Sequence, residues 1–507
     1  DVTKLRGLGR RDEAARAYRG LLEGGAERPE VAYNLGNLLE EMGRPAEAVA
    51  AWQRAAALRP PWPEPRRALA RLLPGLERGD EAVELTTALV RETGTAADWR
   101  LHGRALRDTG RPEAALAALR RATAAGPSEP AAWVERGAAA LATNRPDEAE
   151  AVFRRVLEQV PDNPAALGGL GHVAVDRGEL ESARAAFDRA LAVAPEEIEL
   201  HLGRARALFL AGRLGEAWAD YRWRRAKPEM RIAAHPAPWW EGEPLDGRHL
   251  LIQCEQGFGD SLMYLREVPW AQGRGGPVTL HGPRGLARLA LASCPGIAFS
   301  ASEDGAPPPA DCQATLLDLP GLRGLARPAP PDSLPYLVPP PDAAAPAPAW
   351  TRQDGPLVGL VWAGNPKHRN DHNRSVPLAA LAPLLSLPGL RLLSFQGGPA
   401  TQPEQIGPWR GFYRTVAEPE ADWARTAALV RQLDLVIGVD TALVHLAGGL
   451  GVPTWVLLAH PPDWRWGLGG EGTPWYPTMR LFRQDRAGDW SGPVARLVRA
   501  LEQRFGL

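Results

Sequence analysis

The sequence predicts an α + α/β chain: a helical solenoid over the first 232 residues, then two α/β lobes with parallel sheets. Three observations carry this. The N-terminal half matches itself at a period of 34 residues. The C-terminal half alternates short β-branched runs with helical segments, the pattern of parallel sheets. A Pro/Ala-rich stretch, Pro339–Pro348, divides that half in two, giving expected domains at 1–232, 233–348 and 349–507.

The repeat units start near Pro29, Pro63, Ala96, Pro130, Pro164 and Ile198. Their eighth residue is small in every unit: Gly36, Ala70, Gly103, Gly137, Gly171 and Ala205. Their twentieth is always alanine, from Ala48 to Ala217, and their twenty-fourth is usually large: Trp52, Leu119, Phe153, Phe187, Tyr221. Small residues let two helices approach, and the large one fills the gap to the next hairpin. Thr86 breaks the pattern in the second unit, so packing there is expected to be irregular. Asp12–Glu23 reads as the second helix of a partial leading unit. The basic run from Arg222 to Arg231 reads as a solvated last helix, and Trp239 and Trp240 as plugs at the joint that follows.

In the first lobe, His249–Glu255 reads as a strand, Gln256–Asp260 as a glycine loop and Ser261–Val268 as a helix. Val278–Gly282, Ala298–Ser300 and Ala314–Leu319 are further strand candidates, with a helix over Leu286–Ala292. The second lobe runs strand Leu357–Gly364, helix Leu378–Leu385, strand Leu390–Gln396 and helix Asp422–Gln432. Strand Leu435–Val439, a helix opening after Asp440 and Thr441, and strand Thr454–Leu458 follow. A last strand over Arg480–Arg483 and a helix over Val494–Arg504 close it. A helix that opens at the carboxyl end of a parallel strand aims backbone N–H groups into the crevice, a ready anion site. Thr441 and His445, four apart, share a face of that helix.

Composition excludes several classes. The net charge of -1 gives no basic excess for nucleic acid or anionic membrane. The three cysteines, Cys254, Cys294 and Cys312, have no metal-ligand spacing and point to a reducing, cytoplasmic setting. No apolar run is long enough to span a bilayer, and no leader peptide is evident in a chain that begins at Asp1. Lys4, Lys227 and Lys367 are the only lysines, which makes Lys367, in a polar loop after a strand, informative.

The repeat anchors resemble the tetratricopeptide repeat. In the other half, EQGFGD (Glu255–Asp260), WAGNPKHRNDHNRS (Trp362–Ser375), DLVIGVDTALVHLAGGLGVPTW (Asp434–Trp455) and PDWRW with TPWYP (Pro462–Trp466, Thr473–Pro477) stand in order. Together they resemble bacterial glycosyltransferases of the lipopolysaccharide heptosyltransferase type, glycosyltransferase family 9. The closer likeness is to the subset in which this module follows tetratricopeptide repeats. The resemblance implies a GT-B fold of two Rossmann-like lobes and metal-independent, inverting transfer from a nucleotide sugar. It implies Asp260 as general base. For the donor it implies Lys367 on the diphosphate and Asp440, Thr441, Ala442 and His445 on phosphate and sugar.

Gly257 and Gly259 would allow close backbone approach, or form a simple tight turn. Arg374 would share the diphosphate, or form a surface ion pair. By position alone Asp260 reads as an N-cap, and His445 as a satisfied core histidine. Trp464, Trp466 and Trp475 would stack on a sugar or base, with packing the safer reading for at least two. The chain departs from the family where the first lobe is Pro-rich around Pro307–Pro309. It also lacks a clear counterpart of the nucleotide-contacting Glu; Gln396 occupies a nearby strand end.

The expected partners are a nucleotide sugar as substrate and a protein or peptide acceptor held by the repeats, with a homo-oligomer compatible. No metal, no other cofactor and no nucleic acid are expected. The alternatives are a non-catalytic scaffold with a vestigial or sensing module, and a transferase acting on a saccharide or lipid-linked acceptor.

Overall fold

In a computed structural model, residues 5, 9–24, 28–127, 129–230, 232–343, 355–366, 370–397, 413–415 and 421–507 are described. The chain falls into two compact units: residues 1–177 with 188–195, and residues 178–187 with 196–507.

Helix α1 (Arg11–Glu23) leads the array. Six hairpins follow: α2/α3 (Pro29–Glu41, Pro45–Leu58), α4/α5 (Pro63–Leu72, Gly79–Glu92), α6/α7 (Ala96–Asp108, Pro112–Ala125), α8/α9 (Pro130–Ala142, Pro146–Gln159), α10/α11 (Pro164–Asp176, Leu180–Val193) and α12/α13 (Ile198–Leu210, Leu214–Tyr221). Each hairpin starts on the residue the period marks. All six alanines at the twentieth position are fully buried. A Cβ on Gly36, Gly103 or Gly137 would lie 2.4–2.6 Å from Trp52, Leu119 or Phe153, so the small residue is what admits the large one of its own unit.

The second unit is irregular, as Thr86 predicts. After α4 the chain makes a 3₁₀ turn, Leu73–Leu76, and Glu77 takes a left-handed φ of 59°. The buried Thr86 hydroxyl donates to the Ala82 carbonyl (2.7 Å) and lies 2.9 Å from His102 Nδ1 of the next unit.

At this joint Asp98, with a fully buried side chain, pairs with Arg67 (2.7 Å) and accepts from the hydroxyls of Thr93 and Thr95. Burial pushes its pKa up, but Arg67 and the two hydroxyls outweigh that and hold it at about 2. The folded value lies below the unfolded one. The stabilisation is therefore complete above pH ~4 and lost as pH falls toward 2, and its size is about 2 kcal/mol. Chemical denaturation of the Asp98→Asn variant beside wild type checks this: the gap in stability should be widest at neutral pH and close on acidification.

The second unit of the chain carries two sheets, all of whose strand pairs are parallel. The first has four strands: β1 (Leu250–Gln253), β2 (Val278–Gly282), β3 (Ala298–Ala301) and β4 (Cys312–Thr315), in the order β3-β2-β1-β4. The other has six: β5 (Leu357–Val361), β6 (Arg391–Ser394), β7 (Tyr413–Thr415), β8 (Leu435–Val439), β9 (Thr454–Leu458) and β10 (Met479–Arg483), in the order β10-β9-β8-β5-β6-β7. Counted from β5 this is 3-2-1-4-5-6, the doubly wound order whose direction reverses between β5 and β8. β1, β2, β4, β5, β8 and β9 are buried throughout; β5, β8 and β9 are near-continuously apolar, as burial on both faces requires, while β2 and β4 bury Thr279, His281, Gln313 and Thr315.

Three local expectations are corrected. The helix after the glycine loop, α14 (Phe258–Tyr264), begins three residues earlier than read, because Phe258 and Gly259 already take helical geometry. The segment read as strand through Leu319 leaves β4 at Thr315 and turns into 3₁₀ geometry at Leu316–Asp318, where Asp318 accepts from the Thr315 backbone and hydroxyl. The run from Arg222 is not a solvated helix. It is a 3₁₀ turn, Arg222–Ala226, that buries Arg224.

Of the two tryptophans at the joint, Trp240 is buried against Trp270 and donates to the Glu243 carbonyl, while Trp239 stays on the surface beneath the Arg225 guanidinium. Among the described residues, no helix is long and apolar enough to cross a membrane.

Candidate functional site

The glycine loop leaves the carboxyl end of β1. Gln256 sits at a left-handed φ of 60°, a strained position for a residue with a side chain. Gly257, not Asp260, is the N-cap of α14; Asp260 is three residues into the helix. Its Oδ2 accepts a long bond from the Gly257 N–H (3.4 Å), and its Oδ1 accepts from Arg465 Nη2 at 2.5 Å. Burial disfavours the charge on Arg465, but the carboxylates of Asp463 (2.9 Å) and Asp260 outweigh it and raise its pKa well above the ordinary value.

At the reversal point of the six-stranded sheet, β8 ends at Val439 and α15 (Ala442–Gly449) opens. Thr441 holds the N-cap position, but its hydroxyl donates back to the Val439 carbonyl (3.2 Å), so no side chain caps α15. Arg374 reaches this mouth: Nη1 donates to the Asp440 carbonyl (3.2 Å) while Nε pairs with Asp371 (3.1 Å).

His445 is buried. Its Nδ1 lies 2.9 Å from the Tyr476 hydroxyl, its Nε2 3.6 Å from Asp440 Oδ1, and its ring stacks on Trp466. Burial pushes the Asp440 pKa up, but His445 more than offsets this and holds the carboxyl below its usual range.

The glycine loop and the mouth of α15 meet. A Cβ on Gly259 would lie 3.1 Å from His445 Cδ2 and 3.5 Å from Ala442 Cα. The absence of a side chain there is what permits the approach of two helix starts. Gly259, Asp260, Asp440, Thr441, Ala442, His445 and Arg374 are thus drawn to one place. Gly257 is the N-cap before α14 and donates its N–H to Asp260. Gln396 is committed to backbone: Oε1 accepts from Trp362 and Ala363 N–H, and Nε2 donates to the Ala363 and Gly397 carbonyls. Lys367 lies outside the described residues. Trp464, Trp466 and Trp475 are all buried.

Three residues at the site were not singled out from sequence. Arg465 lies inside the quoted PDWRW motif, where its single basic side chain between two tryptophans is the available signal. Tyr476 lies inside TPWYP. Arg266, buried, donates to the carbonyls of Met263 (2.8 Å) and Trp475 (2.9 Å) and to the Tyr336 hydroxyl (3.2 Å), and so ties α14 to the Tyr476 segment. Nothing in its local sequence marks it.

Comparison with known proteins supports the helical half. Tetratricopeptide repeat models match residues 29–62, 100–164 and 140–206. Protein FlbA of Caulobacter vibrioides is 30% identical over 344 residues, covering 61% of this chain and 56% of that protein, so the chain spans little more than half of that relative's length. Among solved structures, YrrB, described as a tetratricopeptide-repeat protein with an unusual peptide-binding site, is 22% identical over 37% of this chain and 96% of its own (TM-score 0.32). A thermophilic tetratricopeptide-repeat protein of Thermus thermophilus is 26% identical over 36% of this chain and 99% of its own (TM-score 0.31). Residues 29–62 and 100–206 are tetratricopeptide repeats, modules that usually mediate contacts between proteins, and a parallel-sheet α/β region follows them.

Proposed function

We propose that the α/β region is a GT-B glycosyltransferase of the heptosyltransferase type that moves a sugar, with inversion, from a nucleotide sugar to a protein acceptor recruited by the repeats. The observation that supports this most is the meeting of the β1 loop with the α15 mouth. It sets the Asp260 carboxylate beside an uncapped helix start at a strand-order reversal, where doubly wound sheets bind ligands.

In this reading the acceptor hydroxyl gives its proton to Asp260, and its oxygen attacks the anomeric carbon from the face opposite the diphosphate. The bond from that carbon to the diphosphate oxygen breaks. The charge left on the diphosphate falls to Lys367, Arg374 and the first turn of α15. Asp260 has one oxygen engaged by Arg465 and the other held only by a long backbone bond, which leaves lone pairs for a hydroxyl.

The scaffold reading draws on a different observation: Gln396 and His445 already have hydrogen-bond partners within the protein, and the tryptophans are buried. A thermal-shift panel of nucleoside diphosphates and nucleotide sugars separates the two. The transferase reading expects one base to raise the melting temperature by a few degrees, the shift growing with ligand concentration. No response to any member favours the scaffold. Transfer to free saccharide or lipid-linked acceptors, with none to protein, would favour the third reading.

A further inference from the structure

The last repeat differs from the other five at two positions. The twelfth residue of the unit is Phe209, where the others have Glu40, Pro74, Arg107, Leu141 and Val175. The twenty-first residue of the unit is Trp218, where the others have Val49, Val83, Leu116, Glu150 and Arg184. Both aromatics, with Tyr221, enclose Trp464. Phe209 stacks on it at 4.1 Å and 19°, and Trp218 and Tyr221 meet it edge-on at 6.2 and 6.3 Å. The Arg465 guanidinium lies 4.5 Å from the same Trp464 ring, and Arg465 holds Asp260.

A second path leaves the same repeat. The Tyr221 hydroxyl accepts from Gln256 Nε2 (3.2 Å), and the Gln256 N–H donates to the Met230 carbonyl (3.3 Å). Gln256 is the strained residue just ahead of the N-cap of α14, so these bonds hold the turn that aims Asp260. The repeat therefore grips the first turn of α14 from both sides: through Gln256 before it, and through Trp464 and Arg465 against the carboxylate within it. The two aromatic departures of the last repeat both meet Trp464 of the α/β region.

We infer that the last tetratricopeptide unit is a built-in part of the candidate active site, and that Phe209, Tyr221 and Trp464 are positioning residues that set the Asp260–Arg465 pair. This rests on the reading of Asp260 as the base, but its structural content does not. It makes the terminal repeat inseparable from the chemistry.

The test is hydrogen–deuterium exchange on the full chain, read on peptides covering 254–264 and 462–468, in Tyr221→Phe and Phe209→Leu. Tyr221→Phe removes one hydroxyl and Phe209→Leu one aromatic face. Each should speed exchange in both peptides by roughly tenfold while β8 and β9 keep wild-type protection. With whichever nucleotide sugar of the panel is turned over, both variants should lower kcat several-fold with KM nearly unchanged, since the donor contacts are intact.

Unchanged exchange in both variants overturns the inference. So does a uniform rise across residues 196–507, which would mean simple destabilisation. If wild type turns over no donor, the transferase reading fails, and the exchange data alone decide this one.

Discussion

Asp260→Asn is expected to lower sugar-transfer turnover by roughly two to four orders of magnitude while donor affinity stays near wild type. Asparagine keeps the shape and one accepting oxygen but not the basicity. The substitution is not free of structural cost, because Asp260 faces a buried guanidinium as well as accepting from the N-cap backbone N–H of its helix. Arg465 retains Asp463 as a counter-charge, so the loss should be about 1–3 kcal/mol rather than the full cost of an orphaned charge.

Melting temperature, donor affinity and transfer rate measured together separate the two effects. A fall in rate with intact donor binding assigns the carboxylate to the chemistry. Wild-type turnover in Asp260→Asn ends the assignment. Glu255, the carboxylate that opens the glycine loop, is then no substitute: its side chain is completely buried and committed to Arg224. Nor is His281, which is buried on β2 with Nδ1 against the Ser300 hydroxyl. Asp440, at the same mouth, becomes the next residue to replace.

Periodicity made the repeats legible because each hairpin solves the same packing problem with its own residues. A 34-residue spacing with small, alanine and large anchors marks helix starts to the residue. The strands were legible for a related reason. Leu435–Val439 and Thr454–Leu458 are buried on both faces, so their apolar runs carry the signal without alternation. The site residues that were found stand on β–α turns, where strand end, glycine and helix cap are local features.

What was not legible depends on pairing across long sequence separation. Arg465 and Asp260 are 205 residues apart, and Arg224 and Asp318 are 94 apart. In a chain with many arginines, no composition rule says which one is buried. Arg224 sat in a basic run that any local rule reads as solvated. Its burial follows from two carboxylates supplied by β-strand ends that the run itself cannot reveal.

Replacing that arginine is expected to cost the α/β region much of its stability. Arg224 is 1% exposed, and it bonds Glu255 (2.6 Å), the Thr315 hydroxyl (2.9 Å) and Asp318 (2.9 Å). Burial lowers the pKa of Arg224 but the two carboxylates raise it by more, so it remains charged. Desolvation pushes Asp318 up, yet Arg224 and Arg225 draw its pKa below the usual value; for Glu255 desolvation prevails and its pKa is raised.

Arg224→Met removes the central cation and leaves two closed-in carboxylates with only the half-buried Arg225 nearby. The expected cost at neutral pH is about 3–5 kcal/mol, the range for breaking a buried pair on one side. The pH dependence carries a signature that a packing defect would not. In wild type, the Asp318 contribution is present above its unfolded pKa and fades as pH falls through the depressed folded value. In the variant, both acids have folded pKa values above their unfolded ones, so they bind protons more readily folded than unfolded, and the protein should gain stability as pH falls from neutral toward 5. Urea denaturation of both proteins between pH 5 and pH 8 reads this directly: the deficit of Arg224→Met should shrink on acidification, and a deficit that stays constant across that range would mean the arginine contributes packing rather than charge.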